Sequence, residues 1–233
     1  MYAKLRTVVD PNLVFADRQE AGRVLSQRLA AYSQSKAVVF ALPRGGVPVA
    51  FEVARQLSLA LQIIIVRKIG APYNPELGVG ALSEKRTTYL NYHLMDQLGL
   101  SLKNLKHIIR QERQEMQRRR QIYRRGRYLS LVKNKIVIIV DDGLATGATM
   151  LAAVYALKQL QPVKVICAVP VCPADTVGKI SPYVDELICL HKPSVMSAIG
   201  FFYRDFHQIT DHEVIRLLQK ASAFPKKDKQ TDL

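Results

Sequence analysis

Two adjacent carboxylates, Asp141 and Asp142, lie between an apolar run and a loop of small and hydroxylated residues. The apolar run, residues 136–140, is β-branched and predicts a buried parallel strand, and a helix is predicted from about residue 147. Free backbone N–H groups and the helix dipole at such a turn favour a phosphate. The carboxylates would repel a phosphate but suit a sugar diol or a hydrated Mg²⁺. A ligand with a diol on one side and a phosphate on the other is a ribose 5-phosphate.

The order of these parts separates this loop from other phosphate loops. A P-loop needs a Lys after its last Gly, where this chain has Ala148, and the dinucleotide fingerprint places its acid about 20 residues after the glycines. An ordinary helix entry in an α/β protein is the plainer interpretation. The stretch 138–150 resembles the 5-phosphoribosyl 1-diphosphate (PRPP) signature of type I phosphoribosyltransferases. That resemblance implies that Asp141 and Asp142 bind the ribose hydroxyls and, through them or through water, Mg²⁺. It also implies that a loop wraps the 5′-phosphate, and its residues are Gly143, Ala145, Thr146, Gly147, Ala148 and Thr149.

Cations follow two further predicted strands. Arg44, Gly45 and Gly46 come after the strand 37–42, and Arg67 and Lys68 come after the strand 61–66. Ligands of parallel sheets bind beyond the carboxyl ends of the strands. A guanidinium with two permissive backbone positions suits a diphosphate, although a plain βα turn would use the same residues. Both loops resemble the family's pattern, which implies that these five residues bind pyrophosphate and that Lys68 and Arg44 are catalytic, as stabilisers of the leaving group.

The resemblance covers residues 38–190, including 78–84, which is similar to the family's entry into a mobile catalytic loop. The flanks 15–18 and 200–206 resemble a bacterial subgroup of uncharacterised phosphoribosyltransferase-like proteins. The family implies transfer of a phosphoribosyl group between PRPP and a nitrogenous acceptor such as a nucleobase, with Mg²⁺ as cofactor. Phe201, Phe202 and Tyr203 are candidates for stacking a planar base, and core packing explains the same cluster almost as well.

A basic segment, residues 101–128, has ten Lys and Arg against Glu112 and Glu115, so it carries +8 of the chain's net charge of +15. Its apolar residues form a narrow helical stripe, which is Leu102, Leu105, Ile109, Met116 and Tyr123. A solvated helix whose stripe packs on the domain or on another subunit is one interpretation, and a surface for polyanions is the other. We expect a homodimer and weak, nonspecific nucleic-acid binding. The alternative function is a PRPP-sensing regulator that binds nucleic acid.

Strands that alternate with helices predict an α/β fold with a doubly wound parallel sheet, here with a small hood and a long basic helical insertion. We expect one domain over residues 1–225, with the insertion at about 83–134 and a disordered tail at 226–233. No apolar run approaches membrane-spanning length, and the first residues lack the apolar core of a signal peptide. Three cysteines without metal-type spacing, Cys167, Cys172 and Cys189, predict reduced thiols and a cytoplasmic location.

Overall fold

The computed structural model describes residues 4–8, 13–83, 88–127, 129, 132–194 and 196–224. Within these residues the chain forms nine strands and seven α-helices. The strands are β1 (Lys4–Val8), β2 (Ala37–Ala41), β3 (Ala60–Ile63), β4 (Val66–Ala71), β5 (Asn74–Ser83), β6 (Thr88–Leu90), β7 (Ile136–Val140), β8 (Lys164–Val171) and β9 (Glu186–His191). The helices are α1 (Arg18–Arg28), α2 (Gly46–Leu57), α3 (Tyr92–Gln97), α4 (Leu102–Arg124), α5 (Ala148–Lys158), α6 (Ala174–Ile180) and α7 (Asp211–Ala221).

Six strands form a parallel sheet in the order β1-β9-β8-β7-β2-β3. The register places Ala41 and Ala168 on either side of Val140, so the carboxyl ends of β2, β7 and β8 lie at one edge. Successive residues of a strand face opposite sides of a sheet. Ile138 accordingly packs in the core that includes α1 and α2, whereas Ile139 packs in the core that includes α5 and α6. The doubly wound α/β class predicted from the sequence is confirmed.

A second, antiparallel sheet of β4, β5 and β6 is the main departure from the sequence prediction. The predicted parallel strand 61–66 is wrong in extent, because β3 ends at Ile63 and Val66 begins a hairpin with β5. The sequence pattern predicts an irregular stretch after residue 66 through Gly80, whereas most of this stretch forms β4 and β5. Glycine and proline usually indicate irregular structure, so the sequence of this hairpin does not look like two strands. Here these residues allow close packing, because a Cβ on Gly70 would lie 2.4 Å from the carbonyl oxygen of Pro75.

Two short elements were not predicted at all. Strand β1 lies at the edge of the main sheet and pairs with β9 in parallel, and it has only five residues. Helix α3 has only six residues, and the side chain of Asn91 caps it by accepting a hydrogen bond from Leu94 N at 3.0 Å. Neither element is long enough to show a clear periodicity.

The predicted basic helix 101–128 is α4, which is shorter at its C-terminal end. The helix ends because Arg125 adopts a left-handed conformation (φ 49°), and Tyr128 lies outside the described residues. Leu105, Met116 and Tyr123 are buried in the core of this chain's own domain. Of the two packing arrangements considered for the stripe, the structure therefore supports packing on the domain itself.

The two flanks of the family-like region meet above the sheet edge. The backbone N–H of Phe15 donates to the carbonyl of Phe202 at 2.9 Å, and that of Arg204 donates to the carbonyl of Phe15 at 2.8 Å. These contacts form the small hood that the sequence predicted. Among the described helices, none is both long and apolar enough to cross a membrane.

Three other predictions have mixed outcomes. The strand-like runs around Cys167 and Cys189 predict that both are buried; they are, and Cys172 is buried with them, all three as free thiols. The sequence also predicts a short extended piece at 87–91, which is β6, although residue 87 lies outside the described residues. The tail 226–233 also lies outside them, so its predicted disorder stays a prediction.

Candidate active site

Asp141 and Asp142 follow β7 directly, at the edge where the parallel strands end. Burial and the neighbouring carboxylate of Asp142 raise the pKa of Asp141 well above its ordinary value. Burial also raises the pKa of Asp142, although a nearby guanidinium opposes this change. Two buried acids side by side disfavour the doubly charged state. The site therefore favours a ligand that offers hydrogen-bond donors or a cation to these carboxylates.

Arg18, at the start of α1, is the guanidinium that faces Asp142. Its Nε donates to Asp142 Oδ2 at 2.8 Å, and its other end donates to the carbonyl of His207 at 2.9 Å. The guanidinium also lies over the ring of Phe206, 3.8 Å from the centroid. Tyr203 completes this support, because its hydroxyl donates to the carbonyl of Asp142 at 2.6 Å. Arg18 thus fixes the orientation of one acid and leaves Asp141 as the more exposed member of the pair.

Arg18 is a site residue that the sequence motifs do not include. A signal was available, since Arg18 lies three and seven residues before Ala21 and Leu25 on the buried face of α1. An arginine on a buried helix face requires an acidic or carbonyl partner. Nothing in the local sequence, however, indicates that the partner is 124 residues away.

The loop between β7 and α5 is shaped to receive an anion. Gly147 has a φ of 75°, which favours glycine, and Ala145 is held by its carbonyl, which accepts from Thr176 Oγ1 at 2.6 Å. Within the described residues, the backbone N–H groups of Ala145, Thr146 and Gly147 have no protein acceptor. These N–H groups and the start of α5, at Ala148 and Thr149, form the usual surroundings of a bound phosphate.

Gly143, the first residue of this loop, also packs against the hood. A Cβ there would lie 2.6 Å from Ile199 Cγ2. The lack of a side chain therefore lets the hood approach the acids closely, and the contact of Gly143 with a 5′-phosphate stays a prediction.

The loop of Arg44, Gly45 and Gly46 lies directly against the acid pair. A Cβ on Gly45 would lie 2.1 Å from Asp142 Oδ2, and one on Gly46 would lie 2.9 Å from Asp141 Oδ1. A side chain at either position would collide with a carboxylate, so both positions need glycine. The sequence alone does not show this reason. The N–H of Gly46 donates to the carbonyl of Leu42 at 3.1 Å, so it is already engaged within the chain.

Asp211 connects this loop to the inserted helix. Arg44 approaches Asp211 at 3.7 Å, Arg118 of α4 donates to it at 3.0 Å, and the hydroxyl of Tyr123 also donates to it. Burial acts to raise the pKa of Asp211, but the hydrogen bonds from Tyr123 and Arg118 outweigh it, and the pKa lies below its ordinary value. A charged carboxylate at the first residue of α7 therefore holds Arg44 near α4.

Arg67 and Lys68 both belong to β4 and differ in their surroundings. Arg67 pairs with Glu112 of α4, a contact that links the hairpin to the inserted helix. The aliphatic part of Lys68 runs past Gly78, where a Cβ would lie 3.3 Å from Lys68 Cδ. The same Cβ would lie 2.9 Å from Ala148, so Gly78 lets the hairpin approach the start of α5 and brings Lys68 toward the phosphate loop.

The aromatic residues of the hood are not brought together as one stacking surface. Phe201 is 73% exposed, whereas Tyr203 is buried and its ring lies 5.5 Å from that of Phe15. Phe202 lies between these extremes, with its ring 5.1 Å from the imidazole of His191. Tyr203 is therefore committed to supporting Asp142, and Phe201 is the ring that faces solvent.

Mg²⁺ prefers carboxylate and phosphate oxygens together with water. Asp141 provides such oxygens at the sheet edge, while Asp142 is already paired with Arg18. Among the described residues no group of three or more His, Cys, Asp or Glu is arranged to hold a metal by itself. These residues fit an ion held jointly by Asp141, water and a ligand's own oxygens.

Comparisons with known proteins agree with this geometry. A model of the phosphoribosyl transferase domain matches residues 16–203. Two proteins from two strains of Mycobacterium tuberculosis, provisionally named phosphoribosyl transferases, are 43% identical over 208 residues, which is 89% of this chain and 47% of theirs. The chain thus spans about half the length of these curated relatives. The crystal structure of TT1426 from Thermus thermophilus is 37% identical, with a TM-score of 0.78 over 89% of this chain and 98% of that chain. The acids, the anion-ready loop and these matches together show that the chain belongs to the phosphoribosyl transferase domain family.

Proposed function

We propose that this chain transfers a phosphoribosyl group between PRPP and a nitrogenous acceptor of the nucleobase class, with release of pyrophosphate. One observation carries the proposal: the adjacent acids Asp141 and Asp142 directly precede a loop with three backbone N–H groups that lack acceptors within the described part of the chain. A diol bound to the acids and a phosphate bound to the loop define a ribose 5-phosphate.

The reaction proposed forms a bond between the acceptor nitrogen and the anomeric carbon of ribose. The bond from that carbon to the diphosphate oxygen breaks, and its electron pair leaves with pyrophosphate. The carboxylates of Asp141 and Asp142 offset the positive charge that develops on the sugar, and Asp141 is the acid with room to contact the diol. When bound, Mg²⁺ neutralises charge on the diphosphate and organises its oxygens.

The leaving group is proposed to lie beside Arg44, Gly45, Arg67 and Lys68. Of these, Lys68 packs at Gly78, which also faces Ala148 at the start of α5, and Arg44 is held by Asp211. Cations fixed in this way stabilise a growing negative charge without reorganisation. Phe201 is the proposed stacking partner for the acceptor, since it is the exposed ring of the hood.

The decisive experiment measures pyrophosphate release with PRPP, Mg²⁺ and a panel of nucleobases. We expect release with at least one base, and a loss of about 100-fold or more in kcat/KM for Asp141→Asn combined with Asp142→Asn. Asp175→Asn is the matched control, because Asp175 is an exposed acid of α6 paired only with Lys179 among the described residues. Equal activity in the double variant and the control would contradict the assignment of the acids.

A second candidate function is a PRPP-sensing regulator that binds nucleic acid. The observation that favours it is the outward face of α4, where Lys103, Lys106 and Arg110 are exposed and have no carboxylate partner among the described residues. Such a face attracts polyanions with an affinity that falls steeply as salt rises. Fluorescence anisotropy of labelled RNA and DNA at several salt concentrations, with and without PRPP, distinguishes the two functions. Sequence-selective binding that persists at physiological salt and responds to PRPP would favour the regulator.

We also propose that the chain forms a homodimer. Leu105, Met116 and Tyr123 of the α4 stripe are buried within the chain, whereas Leu102, at the start of the stripe, and Leu98, before the helix, are exposed. Exposed apolar residues are common at subunit contacts. Sedimentation velocity of the wild type and of Leu102→Glu tests the proposal, and an unchanged sedimentation coefficient would exclude this surface.

A further inference from the structure

A cavity of about 520 Å³ lies between the inserted helix and the proposed pyrophosphate side of the site. Pro43, Lys68 and Thr149 contribute to its walls, so it adjoins three of the segments already assigned to PRPP. Helix α4 forms the opposite wall, with the side chains of Ile108, Gln111, Glu112 and Arg119. The basic insertion therefore lines the site itself, in addition to packing on the domain.

The charge of the cavity indicates the class of its ligand. Arg67, Lys68 and Arg119 bring three cations to the walls, and Glu112 is the one carboxylate among the lining residues. Glu112 is paired with Arg67, so cations outnumber carboxylates within the lining. Cations gathered in a partly enclosed space favour an anion of more than one charge. A diphosphate has this chemistry.

Arg119 is held in place before any ligand binds. Its Nε donates to Glu115 Oε1 at 2.7 Å, and its side chain is only 16% exposed. The hydrogen bonds from Arg118 and then Arg119 lower the pKa of Glu115 to about 2, so this acceptor stays charged at neutral pH. A guanidinium has five N–H donors, and the Nε contact leaves the other donors of Arg119 to further acceptors.

The position of α4 relative to the loop of Arg44 is also fixed. Arg118 and Arg44 both contact Asp211, at 3.0 and 3.7 Å. Since Arg119 is adjacent to Arg118 on the helix, this contact sets the distance from Arg119 to the loop. An arginine tethered to a rigid helix loses little freedom when it binds an anion.

We propose that Arg119 binds the diphosphate of PRPP and of released pyrophosphate, so that the inserted helix supplies a leaving-group residue from outside the family-like loops. The inference rests on the proposed function, and it names the ligand class of this cavity. As the bond from the anomeric carbon breaks, the charge of Arg119 offsets that gained by the departing diphosphate. Glu115 is the positioning residue for Arg119, and Glu112 has that role for Arg67.

The test compares two ligands by calorimetry in the presence of Mg²⁺: inorganic pyrophosphate and ribose 5-phosphate. In Arg119→Gln we expect pyrophosphate affinity to fall roughly 10- to 100-fold, as for loss of a hydrogen bond to a charged group. Ribose 5-phosphate lacks the diphosphate, and its affinity should change less than about twofold. The matched control is Arg113→Gln, which removes an exposed guanidinium from the same helix but not from the cavity lining. Arg119→Lys keeps the charge and should recover part of the affinity.

Each of the following results would overturn the inference. Unchanged pyrophosphate affinity in Arg119→Gln would show that the residue does not contact the diphosphate. Equal losses for both ligands, or the same loss in the Arg113→Gln control, would assign Arg119 a structural role. Failure of the wild-type protein to bind PRPP or ribose 5-phosphate would instead refute the proposed function. Binding of ribose 5-phosphate without pyrophosphate would refute only the assignment of this cavity.

Discussion

Replacement of Arg18 by Met is expected to destabilise the protein strongly. Met has a similar length and no charge, so the variant fills the space of Arg18 but leaves Asp142 without its partner. Opposite charges about 4 Å apart attract by about 4 kcal/mol at an effective dielectric constant of 20. Breaking one side of a buried pair costs about 3–5 kcal/mol in proteins. The hydrogen bond to the carbonyl of His207 is lost as well, although this carbonyl can turn to water.

Urea unfolding at pH 7.5 measures the loss, and a double-mutant cycle assigns it. We expect Arg18→Met to lower the free energy of unfolding by about 3–5 kcal/mol. Arg18→Met combined with Asp142→Asn should be less destabilised than the single variant by about 1–3 kcal/mol, because no buried charge is left unpaired. Arg23→Met is the control on the same helix, since Arg23 is exposed, and it should change stability by less than about 0.5 kcal/mol. A cost below about 1 kcal/mol for Arg18→Met, or strict additivity in the cycle, would refute the reasoning.

Three further predictions concern charge at and near the site. Asp141→Asn should stabilise the ligand-free protein at pH 7 by about 1 kcal/mol or more, because burial and Asp142 raise the pKa of Asp141. Protonated Asp141 stabilises the fold below the ordinary pKa of 3.8, and this stability is lost as the pH rises through the higher pKa of Asp141 in the folded protein. The melting temperatures of the wild type and of Asp141→Asn should therefore approach each other as the pH falls toward 4. Lys68→Ala should lower kcat/KM about 100-fold while ribose 5-phosphate binds nearly as before, and equal losses would mean a structural charge. Asp205 and Glu213 raise the pKa of His207, so its contribution to stability is present below about pH 6.5 and lost above it. When the pH is raised from 6 to 8, the wild type should therefore lose about 1–2 °C more in melting temperature than His207→Gln loses.

The sequence predicted the parts of the fold whose pattern is local. The strand β7, the helix α7 and the acid pair between the apolar run and the loop can all be predicted from the sequence, since each depends on neighbouring residues. The hairpin of β4 and β5 was missed because its glycines serve contacts with Pro75 and Ala148, which are not encoded in periodicity. Long-range packing overrode the usual meaning of Gly and Pro.

The acid pair of the candidate site was recognisable in the sequence, but its electrostatics and its partner Arg18 were not. From the sequence alone, Asp141 and Asp142 repel each other equally, and replacing either acid would relieve the empty site. The pairing with Arg18 distinguishes them, and it makes Asp141 the acid whose neutralisation is expected to stabilise the fold. The positions of Glu112 and Glu115 predict i,i+3 and i,i+4 pairing within the helix. Glu115 does pair with Arg118 and Arg119 within α4, whereas Glu112 pairs with Arg67 in the hairpin.

The way α4 is attached limits how this chain can be recombined with its relatives. The helix contributes Leu105, Met116 and Tyr123 to the central core, and it is tied through Asp211 to the segment that carries Arg44. An insertion on flexible linkers can be exchanged or shortened independently of the domain. The helix α4 cannot, because its buried side chains are part of the core of the domain. A chimera must therefore exchange the helix together with the hairpin and the last helix, and variation in the three is expected to be inherited as a block.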